Sequence, residues 1–265
     1  MEILGYLLAV VMGFTLGLLG GGGSILTVPI LVYVLGVEPV LATAYSLFVV
    51  GSTAVIGGAQ KHRQGLVRWK TGIVFAIPSL VAVLLTRLYL VPAIPETIFR
   101  LDGFSFTKDI AIMVFFGVVM LLASYSMIKD RKDTSEQKEK PFNFPLILAE
   151  GLIVGVITGL VGAGGGFLIV PALVLLVGLP IKEAVGTSLV IIAIKSLIGF
   201  LGDIGSGQDI NWTFLLLFTA CSFAGMFIGT YATRFVSADR LKKGFGWFVL
   251  AMGIFIILSE TVFAV

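Results

Sequence analysis

The stretch "GLLGGGGSILTVP", Gly17–Pro29, sets four consecutive glycines inside a strongly apolar sequence. Glycine loses more backbone entropy on ordering than any other residue and interrupts helices. A second stretch, "GLVGAGGGFLIVP", Gly159–Pro171, carries the same break. A shift of 142 residues aligns Gly17–Leu47 with Gly159–Leu189 without a gap, and 14 of the 31 pairs are identical. Among them are Gly20/Gly162, Gly22/Gly164, Gly23/Gly165, Pro29/Pro171, Gly36/Gly178 and Ser46/Ser188, and one inserted residue later Trp69 meets Trp212. Shared apolar composition matches Leu with Val by chance, but it does not keep Gly, Pro, Ser and Trp in register. The chain is therefore read as two repeats.

Working outward, 58% of the 265 residues are hydrophobic and 12% are charged. A soluble domain carries roughly 25% charged residues, so this chain has too few to cover a soluble surface. Apolar segments run over about 3–19, 25–35, 40–58, 69–90, 110–128, 146–161, 167–177, 184–201, 211–232 and 244–262. Their lengths predict an all-α polytopic membrane protein. The first segment lacks a basic flank, so it is read as membrane-embedded and not as a cleaved signal. The net charge of +3 sits in loops, which disfavours nucleic acid as a partner. A single cysteine, Cys221, leaves no internal disulfide and no Cys-based metal cluster. Neither a metal nor a cofactor is expected.

The charge-dense stretch "KDRKDTSEQKEKPFNFP", Lys129–Pro145, divides the segments into two groups of five. The organisation predicted is an N-terminal transmembrane repeat over 1–128, a cytoplasmic charged linker over 129–143 and a C-terminal repeat over 144–265. Lys61, Arg63, Arg68 and Lys70 place the loop after the third segment in the cytoplasm, as do the basic residues of the linker and of 233–243. Loop 202–210 has no Lys or Arg and is expected outside. Loops 59–68 and 202–210 are repeat equivalents on opposite sides, so the repeats are expected to be inverted, an arrangement of secondary transporters.

Segment 25–35 spans about 16 Å as a helix, against a hydrocarbon core of about 30 Å. It cannot cross alone. Each repeat is therefore expected to hold a short-helix hairpin with a glycine tip, plus three transmembrane helices. The second leg should start near Ser24–Ile25 in one half and Gly166–Phe167 in the other. Helix N-termini present free N–H groups and a partial charge of about +0.5, and two of them facing one cavity make an anion site. Gly22, Gly23, Ser24, Gly164, Gly165 and Gly166 are the candidates. Gly13, Gly17 and Gly21, matched by Gly155, Gly159 and Ala163, form small-residue rows and are read as packing positions. No Lys-Ser/Thr follows either glycine run, which excludes a P-loop.

Ser46 and Ser188 add hydroxyls that either donate to an anion or bond their own backbone. Lys195 lies seven residues beyond Ser188, on one helical face, well inside an apolar segment. Intramembrane charges face a cavity or a partner, so Lys195 joins the candidate substrate-binding residues. Its repeat equivalent is Thr53, which makes the site asymmetric in charge. Glu150, Glu183 and Asp203 are read as interfacial, and His62 as solvated. No residue set suggests catalysis.

These paired motifs, with "TAYSL" (Thr43–Leu47), "GTSLV" (Gly186–Val190) and "KHRQGLVRW" (Lys61–Trp69), resemble the sulfite exporter TauE/SafE family, also called the 4-toluene sulfonate uptake permease family. The resemblance covers nearly the whole chain. It implies a multi-pass permease of the bacterial inner membrane for small sulfur-containing anions such as sulfite, thiosulfate or organosulfonates. The second repeat lacks the His and Arg found at His62 and Arg63. The partners expected are a small anionic substrate and the lipid bilayer, with assembly as a homo-oligomer allowed. An anion channel on the same scaffold is the alternative to a secondary transporter, and saturating flux with counter-exchange separates the two. A membrane enzyme would need a cluster of titratable groups, which the sequence does not offer.

Overall fold

The computed structural model describes residues 2–101, 104–128, 144–162, 164–175, 177–205, 209–232 and 238–261. The predicted linker 129–143 and Ala163 lie outside the described residues. Among the described residues, ten helical segments fall into two groups of five. In the first group α1 is Glu2–Leu19, and α2 runs as the 3-10 helix Gly20–Leu26, a short turn Thr27–Pro29 and the π-helical Ile30–Val34. They are followed by α3 (Pro39–Arg63), α4 (Trp69–Ala93, with π-helical Thr86–Leu90) and α5 (Lys108–Ile128). The second group is α6 (Phe144–Val161), α7 (Gly166–Leu175), α8 (Ile181–Gly205), α9 (Trp212–Ala232) and α10 (Ala238–Thr261). Among the described residues, seven helical stretches are long and apolar enough to cross a membrane. Their outward faces carry Leu7, Ile77, Leu122 and Leu216, exposed apolar side chains suited to lipid and not to water.

The first stretch, Ile3–Val34, has the length of a long span but folds back on itself. Gly20 adopts φ +69°, a left-handed conformation that glycine takes without steric cost. The chain reverses there, and the Leu35 side chain returns against Gly5, within 2.7–2.8 Å of where a Cβ would stand. Gly162, the equivalent of Gly20, has φ +72° and begins the reversal between α6 and α7. The hairpin with its glycine tip is thus formed in the first half, and the second half has the same left-handed glycine at the same place.

Packing exchanges helices between the halves. α1 lies along α9: Gly13 faces the Ser222 carbonyl, and Gly17 faces Met226 and Thr230. The equivalent pair is α6 along α4, where Gly155 faces the Ser79 carbonyl and Gly159 faces Thr86. Lipid gives helices no hydrophobic drive to associate, so close van der Waals approach over small residues holds them. A Cβ at Gly155 would stand 2.5 Å from the Ser79 oxygen, which sets the packing role of that row. In both pairs residue numbers rise together, so the partners are parallel. α3 and α8 behave differently: Gly57 meets Leu189, Gly51 meets Leu197 and Gly199 meets Leu47. These equivalent helices run antiparallel. α5 and α10 pair as well, with Gly117 against Ile257.

A two-stranded antiparallel sheet, β1 (Thr97–Leu101) and β2 (Phe104–Thr107), joins α4 to α5. The sequence reading assigned no element there. The strands are too short to show alternation, and a register shift between Thr97 and Phe99 breaks what there is. Phe99 and Phe106 stack at 4.8 Å between centroids, a cross-strand pair of the type that supports such hairpins.

Candidate functional site

The glycine tips meet each other. Gly21 and Gly166 pack backbone to backbone, so a Cβ on either would collide with the other's main chain. Both tips rest on the antiparallel α3–α8 pair. Gly162 touches Thr43 and Gly164 touches Val50, while Gly20 touches Val185 and Gly166 touches Ile192. Thr43, Ser46 and Val50 share one face of α3, spaced three and four residues apart. Val185, Ser188 and Ile192 share the equivalent face of α8, and Lys195 continues it. Ser46, Ser188 and Lys195 therefore lie on the helix faces that carry the tip contacts.

The second tip is the more specialised. Gly164 and Gly165 both have φ +63°. The Gly165 carbonyl is the first acceptor of α7, taking the N–H groups of Leu168 and Ile169 at 3.0 Å each. The N–H groups of Gly166 and Phe167 then have no acceptor within the helix and carry its positive end. Lys195 is fully buried and reaches this tip: its Nζ would stand 2.7 Å from a Cβ at Gly165. Nζ donates to Thr158 Oγ1 at 2.9 Å, and that hydroxyl donates to the Val154 carbonyl at 2.6 Å. This is the ammonium's one hydrogen bond among the described residues, and an ammonium has three N–H groups. Thr158 escaped the sequence reading because its repeat equivalent is Leu16, so the comparison of halves does not point to it.

The first tip differs from expectation. Its helix does not start at Ser24–Ile25; the 3-10 helix begins four residues earlier, at Gly20. The Ser24 hydroxyl donates to the Gly21 carbonyl at 2.7 Å. Gly22 is buried within the 3-10 helix, and Gly23 faces α1, where a Cβ would stand 2.5 Å from Thr15 Oγ1. Close packing explains glycine at 23. The serine pair also divides: Ser188 Oγ donates to the Val185 carbonyl at 2.9 Å, whereas Ser46 Oγ is buried with no hydrogen-bond partner among the described residues.

Asp203, read from the sequence as interfacial, is buried against protein near the end of α8. It is 2% exposed and pairs with Arg87, 1% exposed, at 3.2 Å. The pair joins the last turns of α8, which extends to Gly205, to α4, which extends to Ala93. Glu183 does sit at an edge, where Arg68 grips both of its carboxylate oxygens. His62 is exposed and accepts a hydrogen bond on Nδ1 from Trp69 Nε1 at 3.2 Å. It borders a shallow apolar groove of about 330 Å³ between α3 and α8 that does not include the tips.

The family model for the sulfite exporter TauE/SafE matches residues 5–256. The chain belongs to the sulfite exporter TauE/SafE family. A "Probable membrane transporter protein" of Xylella fastidiosa (strain 9a5c) is 31% identical over 251 residues, covering 92% of this chain and 90% of that protein. The "Probable membrane transporter protein YunE" of Bacillus subtilis (strain 168) is 28% identical over 257 residues, covering 86% and 89%. No solved structure matches the chain. This TauE/SafE member is a multi-pass membrane protein, and its relatives point to a membrane transporter and not to an enzyme.

Proposed function

We propose that the protein is a secondary transporter of small sulfur-containing anions, such as sulfite, thiosulfate or an organosulfonate. In this reading the anion binds where the two glycine tips meet. The observation that carries it is the buried Lys195 ammonium beside the N-terminus of α7, with Thr158 its one hydrogen-bond partner among the described residues. An unpaired cation in such a place is costly, and an anion bound there would offset the cost. The Gly166 and Phe167 N–H groups would donate to its oxygens, and Ser46 could add a hydroxyl. The family's name suggests the sulfur chemistry. The positive end of α7 and the ammonium disfavour a cation as substrate.

We further propose that the halves lie inverted in the membrane, with the tips near its midplane. The antiparallel course of α3 and α8 supports this, as does the basic loop 59–68 against the Lys- and Arg-free loop 202–210. Single cysteines at Gln64 and Asp209, in a protein whose Cys221 is replaced, should react with an impermeant thiol reagent from opposite sides. Labelling of both from one side overturns the inverted arrangement. Transport itself is tested in proteoliposomes with sulfur-35 sulfite, thiosulfate and a sulfonate panel. Saturable uptake that is accelerated by the same anion inside supports a carrier. No flux of any sulfur anion overturns the function.

A further inference from the structure

Lys195 is not the only buried cation of the described membrane segments. The guanidinium of Arg87 lies between α3, α4 and α8 with its side chain fully buried. One nitrogen does all of its visible bonding: Nη1 donates to Thr43 Oγ1 at 2.9 Å and to Asp203 Oδ1 at 3.2 Å. Nε and Nη2 are buried with no hydrogen-bond partner among the described residues. Buried polar groups are nearly always satisfied, so two adjacent orphan donors require an explanation. Nε and Nη2 form one edge of the planar guanidinium, and their parallel N–H groups match two oxygens of a single oxyanion.

The position connects this edge to the tips. Thr43, which holds Nη1, also packs against Gly162 at the start of the second tip. Asp203 lies eight residues beyond Lys195 on α8, about 12 Å along the helix. The Arg87 Cβ stands 3.0 Å from where a Cβ at Gly202 would be, so α4 and α8 approach closely at the base of the Arg87 side chain. The fold's internal symmetry does not demand the arginine, since its repeat equivalent is Thr230. Holding Asp203 alone would not need a fork either; one nitrogen already does it.

We propose that Arg87 is a second anion-contacting residue, whose Nε–Nη2 edge takes two oxygens of an oxyanion while Nη1 stays on Thr43 and Asp203. The inference rests on the transport reading and extends it to a second position along the path between the tips and the joined ends of α4 and α8. The anion reaches it in a state where those helices part at Gly202. The ligand class is an anion with two oxygens on one centre, such as sulfite or a sulfonate. A halide cannot bridge the fork. Asp203 neutralises the guanidinium, so the position orients an oxyanion without trapping it as a bare buried cation would.

The test compares the purified parent with Arg87→Lys and with the double variant Arg87→Gln/Asp203→Asn. The lysine variant keeps the charge facing Asp203 and loses the fork. The double variant removes both charges together, so neither is left buried alone. Sulfite, a simple alkanesulfonate and chloride are titrated against each by thermal stabilisation. Both variants should fold and bind sulfite and the sulfonate at least tenfold more weakly than the parent, with the chloride response unchanged. A folded variant of either kind with parental sulfite and sulfonate affinity overturns the role of Arg87 and leaves the transport reading standing. A parent that responds to no oxyanion overturns both.

Discussion

The two glycine tips are close in sequence and unlike in chemistry. The second has left-handed glycines at 162, 164 and 165, a free-standing start to α7, and a lysine and a threonine aimed at it. The first has one left-handed glycine at 20, a 3-10 helix that closes Ser24 onto Gly21, and, among the described residues, no charged side chain against Gly20, Gly21 or Gly23. The duplicated motif therefore keeps a backbone device, the left-handed glycine at the chain reversal, while the side chains around the two tips differ. In the proposed site one half would supply the charge and the other a wall, with Gly21 packed against Gly166.

This contrast predicts unequal effects of equivalent substitutions. The largest belongs to Lys195→Ala, which should cut sulfur-anion uptake by about a hundredfold or more, in the range of a lost charge-assisted contact of about 3 kcal/mol. Its repeat equivalent, Thr53→Ala, removes a hydroxyl that donates to the Val49 carbonyl and should change uptake less than twofold. Uptake in proteoliposomes, normalised to inserted protein, measures both. Equal losses would break the asymmetry.

Next come the tip glycines. Gly165→Val forces a β-branched residue to φ +63° and drives its Cβ into the Thr158 hydroxyl and Lys195 Nζ, so anion-induced thermal stabilisation should vanish. Gly23→Val pushes instead on Thr15 and the Leu16 backbone of α1. It should lower the melting temperature without anion, through roughly 1–3 kcal/mol of overpacking, while the folded fraction keeps its anion response. Loss of the response in both variants at normal stability would restore a symmetric site.

The smallest effect expected is at the serines. Ser46→Ala removes a buried hydroxyl that has no partner in the described residues and should weaken anion binding severalfold. Ser188→Ala removes a hydroxyl already bonded to the Val185 carbonyl and should leave binding unchanged. Titration of the two variants side by side sharpens which helix faces the ligand.

Much of the architecture could be read from the sequence because it is written in residue types that have few alternatives. Four glycines in an apolar run force a break, and segment 25–35 is too short to cross. The start of α7 at Gly166 followed from that. What stayed hidden depended on three-dimensional neighbours. Gly23 looks like Gly165 in sequence, but one turns toward α1 and the other toward Lys195. Arg87 and Asp203 are separated by more than a hundred residues, and each lies near the end of its apolar segment, so neither signals the buried pair that joins them. Thr158 becomes visible only when α6 places it beneath the Lys195 ammonium.

The most direct measurement of the central claim is to locate the anion. Selenite has the geometry and charge type of sulfite, and its selenium scatters anomalously. Crystals of the protein grown with selenite should show a selenium peak within hydrogen-bonding reach of Lys195 Nζ and the Gly166 N–H, and this peak should disappear in Lys195→Ala crystals. Ordered selenite elsewhere in the membrane region, with the second tip empty, would contradict the account.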